Sequence, residues 1–131
     1  MKKLLLLALM TLSVYASEVS WFDSYTKAAE AAKAVNKPML LFMNKPGCGS
    51  CAYMKENVFT DESVVNYLNE NYIAVSLDIH TNDAPKKLQV NVTPVFHFLD
   101  SDGNQALETL VGGKTAPFFL KLLKKANTPA K

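Results

Sequence analysis

The only two cysteines stand three positions apart, in Cys48-Gly49-Ser50-Cys51. They follow the apolar run Met39-Leu40-Leu41-Phe42-Met43 and precede the helix-compatible stretch Ala52-Tyr53-Met54-Lys55-Glu56. The run does not alternate and is too short for a typical helix, so it reads as a central strand buried on both faces. Asn44-Lys45-Pro46-Gly47 breaks it. The cysteines therefore fall where a strand hands over to a helix N-terminus, whose free N–H groups and dipole favour a thiolate. Residues three apart on a helix have Cβ atoms about 5–6 Å apart, so a small adjustment closes a reversible disulfide.

The first residues set the compartment in which such a pair would work. Met1-Lys2-Lys3 is basic, Leu4 to Leu12 is apolar, and Val14-Tyr15-Ala16 has small residues where a signal peptidase reads them. A secretory signal peptide over residues 1–16 is expected. The apolar stretch is well short of the roughly 20 residues of a membrane-spanning helix. Cleavage would leave twelve lysines against twelve acids, with no arginine. These charges are interspersed rather than gathered in a basic patch, which argues against a nucleic-acid partner. An exported chain meets an oxidising environment, in which two cysteines can pair. The 131 residues, 49% hydrophobic and 20% charged, suit one globular domain with a single core.

Trp21, Tyr25, Ala28, Ala32 and Val35 recur at four- and three-residue intervals and predict a helix that Asn36-Lys37-Pro38 ends, with Trp21 and Tyr25 as core anchors. After the cysteines a helix is expected over 48–57. Thr60 or Asp61 then caps another, with Val64, Val65 and Leu68 inward. Tyr72 to Ile79 reads as a strand, Thr81 to Pro85 as the opening of a third helical piece, and Val92 to Leu99 as a strand. Asp100-Ser101-Asp102-Gly103 supplies hairpin-turn chemistry, so Gln105 to Val111 should return antiparallel. A final helix over 115–126 turns Phe118, Phe119, Leu122 and Leu123 inward, and residues 127–131 form a flexible tail. Helix-separated strands followed by a hairpin imply an α/β fold, a mixed central sheet with a C-terminal antiparallel hairpin and helices on both faces.

Together with Thr93-Pro94 ahead of a later strand and Gly112-Gly113 ahead of the last helix, the cysteine motif resembles the thioredoxin superfamily. Within it, Asn36-Lys37-Pro38-Met39-Leu40-Leu41, Val58-Phe59-Thr60-Asp61 and Thr81-Asn82-Asp83-Ala84 look most like the C-terminal periplasmic domain of the membrane disulfide reductase DsbD and its small secreted relatives. The resemblance runs from Trp21 to Lys125 and makes 17–126 a thioredoxin-like domain. It implies that Cys48 is the exposed attacking thiol and Cys51 the buried resolving thiol. It also implies that Thr93-Pro94 is a cis peptide beside the disulfide, with the Thr93 backbone free to pair with an extended substrate. Small Gly49 and Ser50 would leave room for that substrate, and Lys45 could add favourable positive charge.

Four positions depart from that pattern. The acid that thioredoxins and the DsbD domain place six residues before the first cysteine is Phe42. The lysine that thioredoxin has on the neighbouring strand corresponds to Ser76, and a second DsbD-domain carboxylate to Lys55. The usual proton acceptor for the buried thiol is thus missing, leaving a water, Glu56 or the substrate to serve. Gly47 stands where thioredoxin has a tryptophan, opening the surface around Cys48.

The expectation is a periplasmic thiol:disulfide oxidoreductase of the protein-disulfide reductase type, without a cofactor, acting as a monomer on protein disulfides. A DsbD- or CcdA-type membrane electron donor is implied by analogy. The rival reading is a redox-silent thioredoxin-like binding or assembly module. A purely structural disulfide would gain little from so short a loop. A structural zinc site would need four ligands, and His80 and His97 lack paired spacing. His97 is read as a packed or edge histidine sharing a strand face with Val95 and Leu99. The Asn91-Val92-Thr93 sequon abuts the substrate proline and is discounted.

Overall fold

The computed structural model describes residues 18–128, so the expected signal peptide and the last three residues of the expected tail lie outside the described residues. A five-stranded mixed sheet forms the centre, in the order β1 (Trp21–Phe22), β3 (Ile73–Asp78), β2 (Met39–Asn44), β4 (Val95–Leu99), β5 (Gln105–Val111). β1 and β2 run parallel to β3, β4 is antiparallel to β2, and β5 is antiparallel to β4. The mixed sheet and its terminal hairpin are as the sequence led one to expect.

β2 is the axis of the fold, and all six of its residues are buried. Leu40 and Phe42 point into a core shared with Cys51, Met54, Phe96, Phe98 and Phe119, while Met39, Leu41 and Met43 point into a second core with Ala28, Val75 and Val95. Helices α2 (Gly49–Tyr53), α3 (Glu62–Asn71) and α4 (Ala116–Ala126) supply the first core, and α1 (Tyr25–Val35) covers the second. Ala28 and Ala32 are fully buried, small side chains that let α1 lie close on the sheet.

The first helix starts later than its periodicity suggests. Trp21 and Phe22 form a short strand, paired with Ala74 and Val75. Trp21 packs on Phe42 and Phe59 in one core while Phe22 packs on the other, and adjacent side chains reach opposite faces only with a strand's period of two. Ser24 then caps α1 by accepting from the Lys27 amide, and Asn36 ends it in the left-handed region. Val35, expected inward, is exposed beside that end.

The helix expected after the cysteines is two pieces: α2 passes into a π-helical turn over Met54–Val58, closed by the Phe59 amide on the Met54 carbonyl at 2.8 Å. The wider turn lets Met54, Val58 and Phe59 all face the core. Asp61 caps α3 through the Val64 amide, with Val64, Val65 and Leu68 inward as expected.

Thr81 to Pro85 is not helical. Asn82 accepts from the Ala84 amide and donates to the Asp78 carbonyl, a local Asx arrangement that competes with helix, and only Lys86–Leu88 makes a 3₁₀ turn. β4 begins at Val95 rather than Val92, the cis Thr93–Pro94 peptide preceding it. At the hairpin, Asp100 accepts from the amides of Asp102 and Asn104, and Gly103 has φ 83°, a conformation that suits glycine. In α4 the inward residues are Phe119, Leu123 and Ala126, while Leu122 is half-buried and Phe118 is turned out to solvent. Asn127 caps α4 and donates to the Tyr67 hydroxyl.

Candidate active site

The parallel β2–β3 pair and the antiparallel β2–β4 pair bring three chain segments to one end of the sheet. β2 ends there at Asn44, β4 starts there at Val95 opposite Met43, and β5 ends there at Val111 opposite Val95. The cysteine motif leaves β2 at this end, and the Thr93–Pro94 peptide enters it. Pro94 is buried, and its carbonyl accepts from the Gly112 amide at 2.9 Å, so the proline loop and the Gly112-Gly113 loop are joined.

Gly47, at φ 76°, turns the chain from the strand into the motif. Cys48 is the N-cap of α2 and half-buried; Gly49 and Ser50 are exposed; Cys51 is fully buried in the aromatic core. The two sulfurs pair as a disulfide, with Cα atoms 5.2 Å apart. The Cys51 amide donates to the Cys48 sulfur at 3.2 Å. One cysteine is thus half-buried with a backbone donor aimed at its sulfur, and the other is fully buried in the core.

Beneath the pair, Phe42 neighbours Ser76 on β3 and Phe96 on β4, and its ring stacks on Phe96 at 5.0 Å between centroids. Where the resemblance would place a carboxylate there is therefore an apolar ring. Lys55 reaches back over this ring, its Nζ 6.0 Å from the Phe42 centroid, and donates to Asn44 Oδ1 at 3.3 Å. Asn44, only 8% exposed, donates in turn to Ser76 Oγ at 2.9 Å and to the Leu77 carbonyl at 3.2 Å. Asn44 is the site residue that sequence reasoning missed; its signal was a polar residue closing an otherwise apolar buried strand. Glu56 is exposed, whereas Cys51 is buried. Lys45 is half-buried on the loop before the cysteines.

His97 is not brought to the cysteines. It shares a face with Val95 and Leu99, which pack in the core on the opposite side of the sheet from Cys51. Its Nε2 donates to the Leu88 carbonyl at 3.0 Å, in the tautomer that leaves Nδ1 to accept from the Thr109 hydroxyl at 3.2 Å. Burial pushes the imidazole below its ordinary pKa, with the Leu88 contact opposing. His80 is exposed on the turn after β3. Among the described residues, no three histidine, cysteine or acidic side chains stand together as a metal site would require. No helix among them is long and apolar enough to cross a membrane.

Similarity to known proteins follows the same geometry. Over 105 residues the chain is 30% identical to the thiol:disulfide interchange protein DsbD of Ralstonia nicotianae, which covers 76% of this chain and 17% of DsbD. The chain spans 8% of the length of the rat and mouse spermatogenesis-associated protein 20, which it matches over 60 residues at 35% and 37% identity. Among solved structures, DsbH oxidoreductase superposes with a TM-score of 0.69 at 21% identity, over 91% of this chain and 92% of that one. The oxidised C-terminal domain of DsbD from Neisseria meningitidis gives 0.61 at 21% identity, over 80% and 98%. At such identities the likeness is one of fold. A family model for a thioredoxin-like domain matches residues 25–127, a span that takes in the paired cysteines, the cis proline and α4, and the chain belongs to this thioredoxin-like family.

Proposed function

We propose that this chain is an exported, periplasmic thiol:disulfide oxidoreductase that reduces or exchanges protein disulfides through Cys48 and Cys51. The observation that carries the reading is the half-exposed Cys48 sulfur receiving the Cys51 amide, with the Cys51 sulfur poised behind it. In the reduced protein the Cys48 thiolate attacks one sulfur of a substrate disulfide, forming a mixed disulfide and expelling one substrate thiolate. Cys51 then attacks Cys48 Sγ, and the substrate leaves as its second thiolate, which takes up from solvent the proton that Cys48 had lost. Two electrons pass from the protein dithiol to the substrate, so no cofactor is needed.

Phe42 occupies the place of the usual buried carboxylate, so the departing substrate thiolate takes the Cys51 proton. Gly49, Ser50, Thr93 and Pro94 line the approach to Cys48 and serve as the substrate ledge. Residues 1–16 direct export, and residues 17–126 form the working domain. The protein acts as a monomer, recharged by a membrane dithiol donor of the DsbD or CcdA type.

The test is insulin reduction with dithiothreitol as the source of electrons. Wild type accelerates it, and the Cys48→Ala variant does not. Equal rates for the two proteins would sink the redox reading. Unaltered binding of an unfolded protein by a Cys48→Ser/Cys51→Ser double variant, with no turnover by wild type, would instead indicate a binding module. Direction is read by glutathione equilibration: a potential near −270 mV marks a reductant and one near −120 mV an oxidant.

A further inference from the structure

We propose that a groove beside the disulfide, walled by Tyr53 and Phe118, is a side-chain subsite. It takes an aromatic residue, followed by an acidic one, from the polypeptide whose disulfide is exchanged. This rests on the redox reading above and adds to it the sequence class of the substrate.

The groove is lined by Ser50, Tyr53, Gly113, Lys114, Thr115 and Phe118 and has a volume of about 430 Å³, within the range of side-chain and small-ligand clefts. It is continuous with the redox site, because Ser50 lies between the two cysteines. Tyr53 and Phe118 are the two exposed aromatic side chains among the described residues, at 41% and 47% exposure, and both line this one groove. The core does not need Phe118, since its neighbour Phe119 is fully buried against Phe59, Phe96 and Phe98. Two exposed aromatics on one cleft are a surface that gains by being covered.

Gly113 keeps the groove open. A Cβ there would meet Tyr53 Cδ1 at 3.7 Å and Ser50 Cβ at 3.8 Å. That is ordinary contact, so a larger side chain would fit the backbone but occupy the space. The occupant's charge is set by Lys114, the only charged residue in the lining, whose Nζ lies 5.9 Å from the Phe118 ring centroid. An aromatic side chain would lie between Tyr53 and Phe118, and an acid beside it would meet the Lys114 ammonium.

The probes are three disulfide-linked peptide homodimers, Gly-Ser-Cys-Phe-Asp-Gly, Gly-Ser-Cys-Ala-Asp-Gly and Gly-Ser-Cys-Phe-Lys-Gly, reduced by protein previously reduced with dithiothreitol. Each peptide disulfide becomes two thiols as the Cys48–Cys51 dithiol becomes a disulfide. Wild type should prefer the Phe-Asp peptide over each of the others by about tenfold in the second-order rate constant of this single turnover. Tyr53→Ser/Phe118→Ser should lose the preference for Phe over Ala, with the Cys48–Cys51 potential unchanged as the sign of an intact site. Lys114→Glu should invert the preference for Asp over Lys, and Gly113→Leu should abolish both preferences. Equal wild-type rates on the three peptides, or preferences that survive these substitutions, overturn the subsite and leave the redox reading standing. Failure of wild type to reduce even glutathione disulfide overturns the redox reading and the subsite with it.

Discussion

The Cys51 amide donates to the Cys48 sulfur over 3.2 Å, while the Cys51 sulfur lies in the core behind it. When the pair is reduced, that donor aims at the sulfur of the less buried cysteine. Negative charge on Cys48 is therefore stabilised by a backbone dipole that does not point at Cys51 Sγ. Limited iodoacetamide treatment of the reduced protein, followed by peptide mass spectrometry, should label Cys48 at least about tenfold faster than Cys51. Comparable labelling would mean that the two sulfurs do not differ as the geometry requires.

A second expectation comes from Lys55, tied by Asn44 to the end of β2 above the Phe42 ring. A cation stands on the turn after the motif, and Phe42 places no charge of the opposite sign beneath the disulfide. A cation nearby favours thiolate and so stabilises the reduced form. Lys55→Glu should lower the Cys48–Cys51 potential by about 10–30 mV, a shift limited by the solvent exposure of the side chain. Asn44→Leu, which frees the ammonium, should move it the same way by less. Glutathione equilibration reads both, and an unchanged or raised potential in Lys55→Glu would remove Lys55 from the redox chemistry.

These two cases show what could be read in the residues and what could not. The buried strand Met39–Asn44, the cysteine pair after it, the Asp61 cap and the Asp100–Gly103 turn rest on local pattern, and all are in the structure. Trp21–Phe22 is too short to show a period, so in the sequence Trp21 reads as the first turn of the neighbouring helix. The π turn depends on Met54, Val58 and Phe59 all finding core space, which no local propensity encodes. The Lys55–Asn44–Ser76 chain joins residues from three elements and exists only once β2 and β3 pair. Phe118 and Phe119 are adjacent and equally apolar, and the phase set by the start of α4 at Ala116 decides which of them is buried.

His97 gives the protein a stability loss in mild acid that is separate from its redox site. Burial lowers the folded-state pKa of its imidazole, and the cavity of about 240 Å³ that it lines contains Lys87 and no acid. The unfolded chain therefore takes up a proton first. Stability is full above the unfolded value of about 6.5 and falls as pH drops below it, by up to about 1.4 kcal/mol per pH unit until the folded imidazole also titrates. Urea unfolding of His97→Gln should show a protein about 1 kcal/mol less stable at pH 7.5, through imperfect replacement of the Leu88 and Thr109 contacts, and nearly flat between pH 5 and 7. A variant as pH-sensitive as wild type in that window would assign the loss to other groups.

Asp83 should govern stability at lower pH, because it closes the N-terminus of α1 from 57 to 59 positions away in the chain. Its carboxylate accepts from the Ser24 hydroxyl at 2.8 Å and from the amides of Tyr25 at 2.7 Å and Thr26 at 2.9 Å. Desolvation pushes its carboxyl upward, but the Thr26 and Tyr25 amides, with the Ser24 and Thr26 side chains, outweigh this and hold it well below the usual carboxylate range. A lowered folded pKa means stability that is present above the unfolded value of about 4 and is lost as pH falls through the folded one. Asp83→Ala leaves the Tyr25 and Thr26 amides without the carboxylate and should cost about 1–2 kcal/mol at pH 7, a range that allows for solvent screening of an exposed carboxylate. That corresponds to about 5–10 °C in Tm. The gap between wild type and variant should narrow steadily below pH 4, as the Asp83 carboxylate of the unfolded wild-type chain takes up its proton while the folded one stays ionised. Thermal melts across pH 2.5 to 7 test this, and a gap that stays constant through that range would show that the contribution of Asp83 is not that of its charge.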